Sequence, residues 1–222
     1  MTDLTDAKAG RTNVEEVFIR GNAVLDSIKQ FLEKVKADPD SPEGYMCCGK
    51  VNEVSGDLFV AIAWYERALG ANPDLHEARC RLGVAQIKNG HLKDAMCTAI
   101  EVTSMAPDFV FTALVRGRPI SAMSLLGDAF RESDFNNEAM DAYKRALDYV
   151  PEDIYAAGQY GTLLFQNGQL DEAMEMFKKV DPENGIFGPV SAGARLAERD
   201  PGLLPAIRES YVDWRLAGNV VV

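Results

Sequence analysis

The 222-residue sequence lacks the features that identify several large classes of protein. No stretch approaches 18 consecutive apolar residues, so the sequence predicts no membrane-spanning helix. The formal net charge is -11, and no run of basic residues interrupts it, which argues against binding to the phosphate backbone of nucleic acids. Residues 1–13 are polar and do not contain the apolar run of a signal peptide. These absences favour a cytoplasmic protein.

Motifs for catalysis and metal binding are equally scarce. The sequence has no glycine-rich phosphate loop, no G-x-S-x-G and no H-E-x-x-H motif. Its two histidines, His76 and His91, lie at predicted turns without cysteine or acidic partners. The cysteines lie within helical patterns and not at the loop spacings of a disulfide scaffold, at Cys47, Cys48, Cys80 and Cys97. We therefore expect no enzymatic activity, no bound cofactor or metal, and a reducing compartment.

What the sequence does contain is one pattern written twice at an offset of 34 residues. The first copy reappears in the second as the pairs Gly49 and Gly83, Gly56 and Gly90, Leu58 and Leu92, Ala61 and Ala95, and Pro73 and Pro107. A fixed period of this length indicates a repeat architecture, in which each helical hairpin buries its apolar face only by stacking on a neighbour.

The spacing within one copy has a physical cause. Positions 45, 48, 49 and 52 follow the rhythm of one helix face, and positions 61, 65 and 68 do so for the next helix. Gly49 and Ala61 are small where the two helix axes approach, and Tyr65 fills the space beside them. Two helix starts are also predicted, at Ser41-Pro42 and at Asp74 with Glu77 three residues later.

These residues resemble the tetratricopeptide repeat, whose pattern is an aromatic residue, Leu-Gly, a glycine turn, Ala, an aromatic residue, Ala and Pro. The first copy matches it at Tyr45, Cys48-Gly49, Gly56, Leu58, Ala61, Tyr65, Ala68 and Pro73. The resemblance implies an all-α solenoid of about four helix-turn-helix repeats with helical caps at both ends. The predicted repeats are 42–75, 76–109, 120–153 and 154–185.

The remaining segments are predicted from their departures from this pattern. Residues 1–12 are expected to form a flexible tail, 13–41 an N-terminal helical cap or degenerate repeat, and 186–222 C-terminal capping helices and a tail. The insertion 110–119 forms either a lengthened helix end or local packing, or else a loop used for contact or self-association. The turn of the third repeat, 133–137, lacks glycine, which leaves its geometry open.

The resemblance also implies where a partner binds, because the first helix of each repeat lines a concave groove in this family. Mapped residue by residue, the groove positions are Met46, Cys47, Lys50, Cys80, Arg81, Val84, Ser124, Leu125, Asp128, Gln159, Thr162 and Phe165. This mixed polar and apolar surface suits a peptide. We expect an adaptor, scaffold or assembly chaperone that binds a protein partner of unknown identity.

Three further readings of the same residues stay open. The clamp for acidic carboxyl-terminal tails found in one subgroup of the family is incomplete here, although Lys50 and Arg81 could form a small site for a carboxylate. Cys47 and Cys80 map to adjacent repeats and could serve a metal- or redox-handling accessory protein. The insertion 110–119 could make the chain a self-assembling scaffold and hence a homo-oligomer.

Overall fold

The computed structural model of the protein describes residues 26, 28–112, 114, 119–180, 193, 196–197, 199–207 and 209. Residues 28–37 are helical. Four helical hairpins follow, formed by α1 (Pro42–Ser55) and α2 (Leu58–Ala71), α3 (His76–Lys88) and α4 (Leu92–Met105), α5 (Ala122–Glu132) and α6 (Asn136–Tyr149), and α7 (Ile154–Gln166) and α8 (Leu170–Lys178). Strands β1 (Val110–Thr112) and β2 (Pro119–Ser121) lie between the second and third hairpins.

Each helix packs on the helix before it and the helix after it, from α1 through α8. First helices also contact one another across repeats, α1 with α3 and α3 with α5. This nearest-neighbour pattern is that of a solenoid, and it confirms the predicted architecture of four stacked helical hairpins. In the part of the chain that the structure describes, no helix is both long and apolar enough to cross a bilayer.

The packing inside the first and third repeats depends on a glycine of the first helix and an aromatic ring of the second. A Cβ atom placed on Gly49 would lie 2.6 Å from Cδ1 of Tyr65, and one placed on Gly127 would lie 2.7 Å from Cδ1 of Tyr143. Both tyrosines are completely buried. Because the helix axes can approach this closely only without a side chain at the glycine, the pair fixes the geometry of the hairpin.

Helix starts were predicted with mixed success. The Ser41 hydroxyl accepts a hydrogen bond from the N–H of Gly44 at 3.0 Å, and Pro42 occupies the first turn of α1, as expected. The predicted cap by Asp74 and Glu77 is wrong, because α3 is preceded by Leu75 and has no side-chain cap. The Glu77 carboxylate instead forms an ion pair with Lys50 of the preceding repeat.

The turn between the two helices of a repeat needs one residue in the left-handed region. Gly56, Gly90 and Gly168 fill that position in three repeats with φ between 78° and 87°. Asp134 fills it in the third repeat with a φ of 63°. The turn without glycine therefore keeps the same backbone path, at the energetic cost that a side chain imposes in this region.

The insertion forms an antiparallel two-stranded hairpin, so the alternative of a lengthened helix end is wrong. Val110 pairs with Ser121, Phe111 with Ile120 and Thr112 with Pro119. Phe111 is only 4% exposed and belongs to the main hydrophobic core, together with Cys80 and Leu125. Strand β1 is therefore packed into the array through Phe111.

The ends of the array are described in part. Phe31 in the helical residues 28–37 lies over α1, with its ring 5.5 Å from Nζ of Lys50. At the other end, Ala197 is completely buried and packs with Phe165 and Phe177 of the fourth repeat. The predicted tail 1–12, most of the proposed C-terminal helices and the final residues 210–222 lie outside the described residues.

Candidate functional site

The twelve predicted groove residues define what we call the first-helix face, since all lie on α1, α3, α5 or α7. All of them are buried except Val84, which is partly buried. This differs from the solvent-open surface that a groove suggests. The face is covered by other parts of the same chain, and its polar groups find internal partners.

Lys50 and Arg81 lie at adjacent repeats of this face and share one carboxylate. Nζ of Lys50 lies 2.6 Å from Oε1 of Glu77, and Nη2 of Arg81 lies 3.7 Å from the same oxygen. Both cations are buried, so an unpaired charge would be costly there. The chain itself thus supplies a carboxylate at the place where one open reading of the sequence put the carboxylate of a ligand.

Arg81 is also bound to the inserted hairpin. Its Nη2 donates a hydrogen bond to the carbonyl oxygen of Thr112, and its Cζ lies 5.4 Å from the centre of the Phe111 ring. This distance is within the range of a cation–π contact. Nε of Arg81 is buried and has no hydrogen-bond partner.

A second polar network surrounds Asp128 on α5. The hydroxyl of Tyr143 donates to its Oδ1 at 2.5 Å, and the hydroxyl of Tyr155 donates to Oδ1 and Oδ2 at 3.0 and 2.9 Å. Burial raises the pKa of Asp128 to about 6, although nearby Arg131 and the two hydroxyls favour the carboxylate. Burial likewise holds the pKa of Tyr143 well above its ordinary value.

The network continues along α7. Nε2 of Gln159 donates to the Tyr155 hydroxyl at 2.9 Å, and Arg131 donates to Oε1 of Gln159. Arg131 is also paired with Glu132 at 2.7 Å. The predicted residues Asp128 and Gln159 are thus brought together, in an arrangement where each polar group has a structural partner.

Ser124 belongs to a third polar cluster, at the junction of the third and fourth repeats. Its hydroxyl donates to Oδ2 of Asp153 at 2.8 Å, and the same oxygen accepts from the N–H of Ser121 at 3.0 Å. Oδ1 of Asp153 accepts from the N–H of Ala156, which caps α7. One carboxylate therefore joins the end of β2 to the start of α7.

The cysteines of the face are buried thiols. Burial raises the pKa of Cys47 and raises that of Cys80 to about 12. A thiol that stays protonated at neutral pH is a poor nucleophile and a poor metal ligand. Within the described ranges no group of three or more His, Cys, Asp and Glu side chains is placed to hold a metal ion.

The remaining predicted residues mostly take part in packing. Met46 packs with Tyr65 and Leu82, Leu125 lies against Gly83, and Phe165 packs with Ala173 and Phe177. The hydroxyl of Thr162 donates to the carbonyl of Gly158 within α7. These contacts show how apolar positions of the first-helix face serve the core.

Several residues of these networks were missed by sequence reasoning. Glu77 was assigned to a cap, and Phe111, Thr112, Tyr155 and Asp153 were assigned no role. One available signal was the spacing of Asp128 and Arg131, which puts opposite charges three residues apart on one helix. The contacts of the hairpin carry no such local signal.

Comparison with known proteins agrees with the fold. The tetratricopeptide repeat family model matches residues 129–185. The structure is similar to that of PilF from Pseudomonas aeruginosa, with a TM-score of 0.59 and 14% identity over 87% of this chain and 98% of that one. No curated protein matches the chain by sequence.

Two further solved structures have the same fold. A structure of the MamA protein gives a TM-score of 0.56 at 24% identity, covering 78% of this chain and 89% of that one. YrrB, described as a tetratricopeptide repeat protein with an unusual peptide-binding site, gives 0.55 at 17% identity, covering 82% and 91%. The repeat match over residues 129–185, the stacked hairpins and the glycine–aromatic pairs show that the chain has the fold of tetratricopeptide repeat proteins.

Proposed function

We propose that the chain is a non-catalytic interaction module, an adaptor or assembly scaffold, which binds a segment of a partner protein on its first-helix face. The carrying observation is that this face is rich in polar side chains although nearly all of it is buried. Half of its twelve residues are polar or charged, namely Lys50, Arg81, Ser124, Asp128, Gln159 and Thr162.

Burying such groups costs free energy, which hydrogen bonds and ion pairs only partly return. In the first, third and fourth repeats the paired helices meet through a glycine of the first helix and an aromatic ring of the second. A face used only for packing would favour apolar side chains at these positions. Polar groups with defined geometry on successive repeats are suited to recognition of a peptide.

Two observations add support to the proposal. YrrB, which shares the fold, is described as having a peptide-binding site. In addition, the buried Nε of Arg81 lacks an acceptor, which a ligand could supply.

The proposal is tested by capture of partners from a lysate of the source organism. Val84 is the one residue of the face that is only partly buried, so Val84→Asp adds a charge there with limited damage to the core. Phe59→Asp is the matched control, because Phe59 lies on α2 and is 75% exposed. We expect Val84→Asp to reduce the captured partner at least tenfold and Phe59→Asp to leave it unchanged.

Helical circular dichroism and the thermal midpoint of both variants must stay close to those of the unmodified chain. If both variants keep the partner, the first-helix face is not its binding site. If Phe59→Asp alone loses it, the outer surface of α2 binds the partner and the proposal is wrong.

A further inference from the structure

The hairpin β1–β2 closes part of the first-helix face, and its contacts show what that part of the face recognises. The Phe111 ring lies against the Arg81 guanidinium, and the next residue, Thr112, accepts a hydrogen bond from Arg81 through its carbonyl oxygen. Cys80 and Leu125, two other residues of the face, share the same core as Phe111. A strand with one aromatic residue is therefore already bound there.

The two edges of the hairpin differ in how they are covered. The N–H of Ala122 donates to the carbonyl of Phe109, so these two residues form a hydrogen-bonded pair. Hydrogen-bonded and non-hydrogen-bonded pairs alternate along an antiparallel ladder. The main-chain groups that point outward are therefore those of Val110, Thr112, Pro119 and Ser121. On β2, Ser121 donates to Asp153 and Pro119 has no N–H to offer. The outer edge of β1 is the one that faces Arg81.

The contact on the β1 edge is incomplete. Nε and Nη2 of an arginine form one side of the guanidinium fork, which can serve two acceptor positions at once. The Thr112 carbonyl engages Nη2, whereas Nε is buried without a partner. A buried donor without an acceptor is unfavourable, because it has lost its hydrogen bond to water and gained none in return. Strand β1 thus leaves part of the site unsatisfied.

The hairpin is also a weak element by itself. It has three residue pairs, and an isolated two-stranded hairpin is marginally stable in water. A comparable contact exists at the start of the array, where the ring of Phe31 lies 5.5 Å from Nζ of Lys50. Two segments outside the repeats therefore each place an aromatic ring on a cation of the first-helix face.

We propose that the hairpin is an internal substitute for the partner, and that the site around Arg81, Cys80 and Leu125 binds an extended partner segment carrying an aromatic residue. The aromatic ring takes the place of Phe111, and the carbonyl that follows it accepts from Arg81. An untethered strand can shift to give Nε an acceptor as well. This inference rests on the proposed function, and it adds the chemistry of the partner and the element that regulates access.

The experiment measures binding of a fluorescein-labelled peptide with the sequence of residues 108–113, blocked at its carboxyl end as an amide. The full chain carrying Phe111→Ala has its own ring removed, and Val110→Ala is the matched control, because Val110 is an exposed neighbour on the same strand. We expect Phe111→Ala to bind the peptide at least tenfold more tightly than either the unmodified chain or Val110→Ala. The gain should disappear when Arg81→Gln is added, and when alanine replaces the second phenylalanine of the peptide.

The proposal is overturned if folded Phe111→Ala binds the peptide no better than the unmodified chain. It is equally overturned if Phe111→Ala loses its helical circular dichroism, since Phe111 is then an indispensable part of the core. Conversion of that variant to a dimer in light scattering would show that a second copy takes the site, which also contradicts the proposal. Failure of the peptide test leaves the proposed function to its own test with Val84→Asp.

Discussion

The first and third repeats have the same contact between their two helices, but different polar groups surround it. In both, a tyrosine of the second helix lies against a glycine of the first and donates its hydroxyl to a carboxylate. In the first repeat that carboxylate is Glu53, whereas in the third it is Asp128, which is equivalent to Lys50. The glycine and the ring are thus fixed by geometry, while the charge on the first-helix face is free to differ.

The two carboxylates also differ in their surroundings. Glu53 accepts from Tyr65 at 2.8 Å and lies 3.4 Å from Lys88, a side chain that still reaches solvent. Asp128 accepts from both Tyr143 and Tyr155, and Arg131 completes its network through Gln159. Removal of the carboxylate should therefore destabilise the third repeat more than the first.

The largest expected effect is the loss of the Asp128 carboxylate. Asp128→Ala removes a shared acceptor of two tyrosine hydroxyls and one of the two carboxylates near the buried Arg131 guanidinium, so we expect a cost of about 3–5 kcal/mol. Glu53→Ala should cost less, about 1–3 kcal/mol, because it orphans one hydroxyl. Urea unfolding of both variants measures the two costs, and equal costs would show that the networks do not differ in strength.

The second largest expected effect is a dependence of the free energy of unfolding on pH. The pKa of Asp128 is about 6 in the folded chain against an ordinary value of 3.8, so the folded chain holds this proton more tightly than the unfolded chain. The stabilisation present below pH 4 is therefore lost as the pH rises through about 6, by about 2–3 kcal/mol. Urea unfolding between pH 4 and 8 should show this fall for the unmodified chain relative to Asp128→Asn. A relative stability that rises with pH would mean that Arg131 and the tyrosines outweigh burial.

The glycine–tyrosine contact is common to both repeats, so removing it should lower the stability of the chain by a smaller amount, equal in the two repeats. Gly49→Ala and Gly127→Ala each place a methyl group against a tyrosine ring, so we expect each to destabilise the chain by about 1–3 kcal/mol. Gly70→Ala is the control, because Gly70 lies in α2 with no atom near its missing Cβ. It should stabilise the chain by about 0.5–1 kcal/mol. Thermal unfolding separates these signs, and a neutral Gly127→Ala would contradict the shared packing.

The smallest expected effect concerns the turns of the two repeats. Asp134 adopts the conformation that Gly56 adopts in the first repeat, so Asp134→Gly should relieve backbone strain and stabilise the chain by about 0.5–1 kcal/mol. Gly56→Ala should destabilise it by a similar amount. Thermal midpoints of both variants test the pair. A destabilising Asp134→Gly would show that the aspartate side chain contributes more than its backbone costs.

The features that could be predicted from the sequence are those that recur. Gly49 and Tyr65 are read from their spacing and reappear 78 residues later as Gly127 and Tyr143, so the helical hairpins and their stacking follow from the pattern. The first-helix positions follow in the same way. The surroundings of Lys50 and Arg81 do not, because Phe31 and strand β1, which contact these two cations, lie outside the repeats.

The features that could not be predicted depend on contacts between distant parts of the chain. Strands of three residues are too short to show alternation, so VFT and PIS gave no sign of a hairpin. Glu77 fits a capping pattern equally well, and its choice of Lys50 depends on the neighbouring helix. Tyr155 reaches Asp128 from the next repeat, over 27 residues of sequence.

The hairpin has a consequence for how the array unfolds. Through Arg81 it contacts the second repeat, and through Asp153 it contacts the fourth, so it joins units that are not neighbours in the stack. An ordinary array frays from its ends, one unit at a time, because each unit is coupled only to the next. Here the three units from α3 to α8 should open together, as a single block with uniform amide hydrogen exchange, whereas the first unit, α1 and α2, can open alone.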